Sequence, residues 1–436
     1  MSEDLLKAFQ EAYRNLELLP LKYQNDLDKF RVDYGNEVIE ELEQLVEDSP
    51  NGDGKIIFTG HRGCGKSTLL YEFKRRLDDR YFVVSFSISD TIEMSDVNHV
   101  NILFAIAVNL MYEAEACQVE IPKSTKDSFY KWFATRIKTE TETLDAEAST
   151  GFDLLKLFRG ALKVNASVRN EIKQEFERKI SDLVARINDI ANVIELSLKN
   201  KKKVLVIIDD LDKLELARVD DIYRDNIKAL CLPGFRIIYT IPIAVLRDKF
   251  LRQLIETETN DQIVVMPVLK LFEKAQSRQP NPQPRAEAKD VLCEILQKRI
   301  ADELIEPQAA EKIVLNSGGV LRELIRIANE CCRICLRLIR RKPGQIVVIN
   351  EQILDEAVNN IRNDFAVPLG KVDYAILQNT YENFMPDDPK EAAFLDLLHG
   401  LYVLEYRNRK NWYDVHPIVV ELLRDQGLIN GSQGTI

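Results

Sequence analysis

Apolar residues recur at helical spacing from the N-terminus onward: Leu5, Leu6, Phe9 and Tyr13, then Val38, Ile39, Leu42 and Leu45. The spacing predicts helix across residues 3–48. Asn51-Gly52-Asp53-Gly54 is a turn signal, since these residues accept the backbone angles of a reversal. The pattern then changes to a short apolar strand at 55–59, a helix from Ser67 to about Leu77, and a second strand at 81–88. Residues 100–116 and 128–137 read as helices, and 138–149, acidic and Thr-rich, as a mobile loop. Between 168 and 198, Ile172, Phe176, Ile180, Leu183, Ile187, Ile190 and Ile194 follow one another at steps of 3 or 4. That predicts one long amphipathic helix.

Val204-Leu205-Val206-Ile207-Ile208 contains no polar residue, as expected of a parallel strand covered on both faces. Strands are also expected at 235–241 and 263–268. Strands alternating with helices predict a doubly wound parallel α/β sheet. The Pro-rich stretch 278–285 breaks the pattern and reads as a domain junction. Three helices are expected near 286–303, 307–316 and 320–341, the last ended by Pro343-Gly344. A short extended segment at 346–349 leads into further helices. A hairpin follows, 401–406 with 412–415, around Asn408-Arg409-Lys410-Asn411. His416-Pro417 should start the last helix.

Composition removes several possibilities. The 436 residues are 45% hydrophobic and 30% charged, with net charge −11, so any attraction to nucleic acid or anionic membrane must be local. No stretch approaches the roughly 18 uncharged apolar residues of a membrane span, and the N-terminus lacks the basic start and apolar run of a signal peptide. The expected location is cytoplasmic. Seven cysteines read there as reduced thiols. Cys331, Cys332 and Cys335 share one expected helix without a second Cys/His pair, which suits buried thiols better than zinc.

Gly60-His61-Arg62-Gly63-Cys64-Gly65-Lys66-Ser67 fits the phosphate-binding pattern G-x-x-x-x-G-K-[ST]. Its glycines let backbone N–H groups face phosphate oxygens. Lys66 supplies a charge to the β- and γ-phosphates, and the Ser67 hydroxyl ligates Mg²⁺. Thr68 follows at the start of a helix whose positive end faces the anion. A strand before and a helix after the loop are what the motif requires. His61 could touch phosphate, or simply be exposed. The second half of the site should be an acid ending a neighbouring buried strand. Asp209 is placed to hold the Mg²⁺ shell, and Asp210 where a base polarising the attacking water is wanted. The alternative makes Asp210, Asp212 and Lys213 a solvated strand end. The base-reading motif of a GTPase is missed at 200–203 and at 125–127, so ATP/ADP is the expected ligand.

These motifs resemble the AAA+/STAND superclass of P-loop ATPases over roughly residues 30–345. Asp209-Asp210-Leu211-Asp212 looks like the STAND form of the second motif. The resemblance assigns Thr240, at the end of the next strand, as a sensor of the γ-phosphate; a Thr capping a strand is the other reading. Ser317-Gly318-Gly319-Val320-Leu321-Arg322 looks like the lid segment of origin-recognition-type and STAND ATPases, which implies that Arg322 reaches the nucleotide. The adenine pocket would include Phe30, Arg31 and Val32. Arg247 and Arg252 follow Thr240, where the resemblance implies an arginine finger; an ordinary surface arginine is the other reading.

The implied organisation is an N-terminal helical segment at 1–50, a P-loop core at 51–277 with a helical insertion about 120–200, a helical lid at 278–345, and a winged-helix-like domain at 346–436. The implied function is an ATP-hydrolysing switch, with self-association or a protein partner as readout and bacterial defence or signalling as one setting. The alternatives are a DNA-associated initiator or loader ATPase and a non-hydrolysing nucleotide scaffold. Residues 346–436 hold 7 Lys/Arg against 14 Asp/Glu, opposite to a phosphate-binding surface. The one basic cluster there is the hairpin tip, Arg407, Arg409 and Lys410, so protein contact is favoured over DNA.

Arg322, Arg326, Arg333, Arg337 and Arg340 share one helical face. Such a face could meet phosphates or an acidic partner surface; for all but Arg322 the favoured reading is a solvated stripe paired with acids. The apolar cluster Phe152, Leu154, Leu155, Leu157, Phe158, Ala161 and Leu162 is expected to pack on the core, with a docking patch for a partner as the other reading.

Overall fold

The computed structural model describes residues 2–49, 51–134, 152–342, 344–407 and 410–430. The expected loop at 138–149 and the tip residues Asn408 and Arg409 lie outside them. The chain divides into two compact units. One comprises Met1–Asn36, Gly60–Leu69 and Met266–Ile436, the other Glu37–Thr59 and Leu70–Val265.

The second unit is built on a sheet of five strands: β1 (Lys55–Gly60), β2 (Tyr81–Ser87), β3 (Lys203–Asp209), β4 (Arg236–Pro242) and β5 (Ile263–Met266). Their order is β2-β3-β4-β1-β5, and β2, β3 and β4 pair in parallel. All of β1 and β4 is buried, as is β3 from Val204 onward. Uninterrupted apolar runs produce this because helices cover both faces of the sheet. One expectation is corrected. The acid-bearing strand β3 does not adjoin β1, because β4 lies between them. An apolar run reports that a strand is covered, not which strand it pairs with.

The helix His99–Ala116 is buried from His99 through Met111. A helix apolar on all sides must be a core helix. The helices Lys123–Ala134, Phe152–Val164 and Ile180–Ser197 pack into the same core, and Leu155, Phe158 and Leu162 are at most 1% exposed. Leu154 and Ala161 are partly buried against it, whereas Leu157 is exposed, so the cluster packs inward on one face of its helix; the Phe152 side chain is outside the described set. The single long helix expected at 168–198 is two: Ala166–Phe176 and Ile180–Ser197. The Asn165 side chain caps the first by accepting the Val168 N–H, and a tight turn, Lys179 N–H to Phe176 C=O at 2.9 Å, separates them. Residues on both sides bury into one core, so the apolar spacing runs through the break, and no Gly or Pro marks it.

In the other unit the helices Ala286–Gln297, Pro307–Asn316 and Leu321–Arg341 are followed by Glu351–Ala366, Lys371–Asn383 and Ala392–His399. The hairpin of β6 (Val403–Arg407) and β7 (Asn411–Val415) comes next, then the helix Pro417–Asp425. The first of these helices is shorter than expected, because Arg299 donates to the Ile295 carbonyl at 3.0 Å near its end and Asp302–Leu304 forms a separate turn. His416 Nδ1 accepts the Ile418 N–H at 3.3 Å, and Pro417 opens the helix.

Candidate nucleotide site

The glycine-rich loop follows β1 directly, and the helix Lys66–Leu77 starts within it. Gly63 has φ +78°, and a Cβ there would lie 2.4 Å from Cβ of Arg322. A side chain at this position would therefore meet both backbone strain and a collision. Gly60 is equally confined, with a would-be Cβ 2.5 Å from the Met266 carbonyl oxygen. Lys66 Nζ donates to the carbonyls of Gly60 (2.9 Å) and His61 (2.8 Å) and is buried. The loop's own dipoles thus hold its cation. Thr68 Oγ1 accepts the Leu21 N–H at 3.1 Å.

Two further elements hold the loop. The Arg322 N–H donates to the Gly63 carbonyl at 3.0 Å. Arg322 lies in the first turn of Leu321–Arg341, where backbone N–H groups have no partner within the helix, so the loop supplies one. His61 is 1% exposed, and its Nε2 accepts the Glu405 N–H at 2.7 Å. The exposed His61 expected from the sequence is corrected, because strand β6 covers it. With Nε2 as acceptor, a neutral ring carries its proton on Nδ1. The Tyr406 hydroxyl donates to the Gly318 carbonyl at 2.9 Å, and Val268, Val320, Leu401 and Leu404 form an apolar cluster beside it. Glu405 was invisible in the sequence because it contributes a backbone group, which any residue could supply.

The segment expected to close an adenine pocket is pinned in the same unit. Lys298 Nζ donates to the Arg31 carbonyl at 2.6 Å, Arg299 lies 4.8 Å over the Phe30 ring, and the Tyr34 hydroxyl donates to the Pro267 carbonyl at 2.8 Å. The Arg31 guanidinium bonds the carbonyls of Val32 and Tyr34.

In the sheet unit, Asp209 ends β3 and its Oδ1 accepts the Asp210 N–H at 2.8 Å. Asp210 sits in the left-handed region, φ 69° and ψ 2°, which Asp tolerates better than most residues. Its Oδ2 accepts Ser87 Oγ (2.7 Å) and Ser89 Oγ (2.8 Å), and its Oδ1 pairs with Lys213 at 2.6 Å. Burial pushes the Asp210 carboxyl up, but Lys213 and the two serines outweigh it and hold it below the usual carboxylate range. The group is a fixed anion, with proton affinity tuned away from that of an efficient base at neutral pH. Asp209, Asp210 and Asp212 are buried, each with a carboxylate oxygen within 4.8 Å of the others'. Clustered hard oxygen donors suit Mg²⁺. Thr240 is fully buried; its Oγ1 donates to the Ile208 carbonyl (3.2 Å) and accepts the Leu211 N–H (3.1 Å). It ties the end of β4 to the loop after β3.

The remaining candidates have ordinary partners. Arg252 pairs with Glu256, Arg326 with Asp364, Arg333 with Glu330 and Arg337 with Glu356. Cys331, Cys332 and Cys335 are buried on one helix, and burial pushes the Cys332 thiol up to about 12.

A family model described as the KAP family P-loop domain matches residues 36–235. The chain has a P-loop NTPase core. Among solved structures, the chain is similar to a Walker-type ATPase of Pyrococcus abyssi, at 16% identity and TM-score 0.45, over 94% of this chain and 99% of that one. It is similar to Cdc6p of Pyrobaculum aerophilum at 11% identity and TM-score 0.40, over 92% and 97%. It is also similar to a chain of Drosophila ORC bound to DNA, at 10% identity and TM-score 0.37, over 95% and 91%. No curated protein matches the chain. Among the described residues, no helix is long and apolar enough to cross a membrane.

Proposed function

We propose that this chain is an ATP-binding, slowly ATP-hydrolysing switch of the STAND/AAA+ type, whose nucleotide state sets the position of its lid and C-terminal winged-helix-like hairpin. One observation carries the reading: the phosphate-binding loop is hydrogen-bonded at Gly63 to the lid and at His61 to the hairpin. A triphosphate received by this loop draws Lys66 off the Gly60 and His61 carbonyls and re-aims the backbone between them. Both clasps bond to atoms of that backbone stretch or its side chains. Each hydrogen bond contributes about 0.5–1.5 kcal/mol net. Their rearrangement is therefore worth about 1–3 kcal/mol, the ordinary size of an allosteric coupling.

In this reading Lys66 neutralises the β- and γ-phosphates, with backbone N–H groups of 60–68 around them. Ser67 and Asp209 would hold Mg²⁺, which supplies charge neutralisation during phosphoryl transfer. Asp210 orients the attacking water, and Thr240 and Arg322 respond to the γ-phosphate. The three donors on Asp210 favour slow turnover, and at the limit a scaffold that holds nucleotide without hydrolysing it. The readout is self-association or exchange of a protein partner.

Mass in solution, measured with ADP and with a non-hydrolysable ATP analogue, tests the switch: the two should differ in assembly or hydrodynamic size. Lys66→Ala should abolish both the difference and the turnover. Unchanged ATP affinity and turnover in Lys66→Ala would defeat the reading.

A further inference from the structure

We infer that a cleft between the end of the helix Ser2–Asn15 and the C-terminal half of Leu321–Arg341 is a second anion site, for a small molecule carrying two or more phosphate groups. The cavity has a volume of about 450 Å³. Arg333, Arg337 and Arg340 enter it from one face of the long helix, and Arg14 and Tyr13 from the other. The walls are secondary structure. Phe9, Ala12 and Leu16 bury the opposite face of the N-terminal helix. The Asn329 side chain donates to the carbonyls of Tyr13 (3.4 Å) and Leu16 (3.1 Å), which fixes the helix end against its neighbour.

The charges do not cancel. Glu330 takes Arg333 in a two-pronged pair at 2.6 Å, and Glu356 takes Arg337. Among the described residues, Arg14 and Arg340 have no carboxylate partner, so two guanidinium charges face the cleft uncompensated in a chain of net charge −11. A basic residue in a helix's last turn also complements the helix dipole, which accounts for Arg14 or Arg340 singly. It does not account for the convergence of both with Arg333 and Arg337 on one cavity. Guanidinium forks bind phosphate oxygens in pairs, and phosphates spaced along one small ligand can meet several forks at once. The ring of Tyr13, 38% exposed, adds a face on which a base can stack. A bounded cavity favours a compact ligand over a nucleic acid, which needs an extended basic surface.

The test is calorimetric titration of the full chain, pre-saturated with ADP and Mg²⁺, with inorganic tripolyphosphate and with UTP. One further site is expected for either ligand. The double variant Arg14→Ala/Arg340→Ala should weaken it at least 10-fold while leaving ADP affinity unchanged. Arg326→Ala, on the same helix but paired with Asp364, should leave the second site intact and so control for folding and net charge. Tyr13→Ala separates the sources: selective loss of UTP marks a nucleotide ligand, and equal retention of both marks phosphate alone. Absence of a second site, equal weakening by Arg326→Ala, or displacement by a short single-stranded DNA that outcompetes tripolyphosphate would overturn the proposal. None of these outcomes depends on whether the P-loop hydrolyses ATP.

Discussion

Nε2 of His61, the second residue of the phosphate-binding loop, accepts the backbone N–H of Glu405 in strand β6 at 2.7 Å. The two are 344 residues apart in the chain. The imidazole is buried, so the bond is shielded from water and fixed in direction. A loop that moves when it receives a triphosphate must either carry β6 with it or break this bond. In the proposed switch, His61 is the side chain that would link the C-terminal hairpin to the state of the loop.

Replacing His61 with Phe keeps a ring in the space and removes the acceptor. The Glu405 amide then loses its partner, at a cost of about 1–1.5 kcal/mol. Amide hydrogen exchange across 403–407 should accelerate about 10-fold, while 236–242 in the sheet unit is unaffected. Unchanged exchange at Glu405 would show that the hydrogen bond does not hold the hairpin.

Gly63→Ala probes the lid clasp without touching a charged group. The added methyl would sit 2.4 Å from Cβ of Arg322, at a backbone angle of +78°. Neither atom is the far end of a flexible chain, so the loop and the first turn of Leu321–Arg341 must separate. The expected result is a fall in ATP affinity of at least 10-fold, with local exchange at the Arg322 amide. Affinity within twofold of the parent would mean that the loop tolerates separation from the lid.

Much of this site was legible in the sequence because its determinants are local. The run from Gly60 to Ser67 needs only its own glycines, lysine and hydroxyl, and Asp209 needs only an apolar strand before it. Periodicity likewise located every strand of the sheet to within two residues at each end. What it could not give depends on partners distant in the chain. The placement of β4 between β1 and β3 is a choice among equally apolar strands. The burial of His61 is decided by a hairpin at the far end of the sequence. The break after Phe176 keeps the apolar spacing because both halves face one core. Tertiary contact decided each of these, and local composition carries no trace of it.

Asp210→Asn separates charge from geometry. Asn also tolerates the left-handed backbone of this position, and its amide still bonds Ser87 and Ser89. Lys213 loses its partner but is 42% exposed and can be solvated. Stability should therefore change little, within about 1 kcal/mol. Turnover should fall at least 100-fold if the anion orients water. Turnover equal to the parent would remove Asp210 from the chemistry.

Thr240→Val tests whether the hydroxyl senses nucleotide or ties β4 to the loop after β3. Valine has the same shape, but leaves the Leu211 N–H without an acceptor in a fully buried place. The expected cost is about 1–3 kcal/mol in urea unfolding without nucleotide, with Thr240→Ser recovering most of it. A full-stability Thr240→Val that fails only in ATP turnover would assign Thr240 to sensing alone.

The last prediction concerns pH and the base of the hairpin. Arg278 lies 3.7 Å from the ring centroids of both Tyr381 and Phe384 and pairs with Asp414 in β7. Burial pushes the Asp414 carboxyl up, Arg278 pulls it part of the way back, and the balance lies at about 6 against an ordinary 3.8. A carboxyl raised on folding gives stability that is complete below its unfolded value and lost as pH rises through its folded value. Between pH 4 and pH 6 the folded protein therefore binds a proton that the unfolded chain has released. Arg278→Met removes the compensating charge, which pushes Asp414 further up and leaves its anion unpaired at alkaline pH. The variant should lose about 1–3 kcal/mol more stability at pH 8 than at pH 5. The lost ring contacts are independent of pH and cancel in that difference. Equal losses at the two pH values, measured by urea unfolding, would show that the pair is solvated and contributes nothing through its charge.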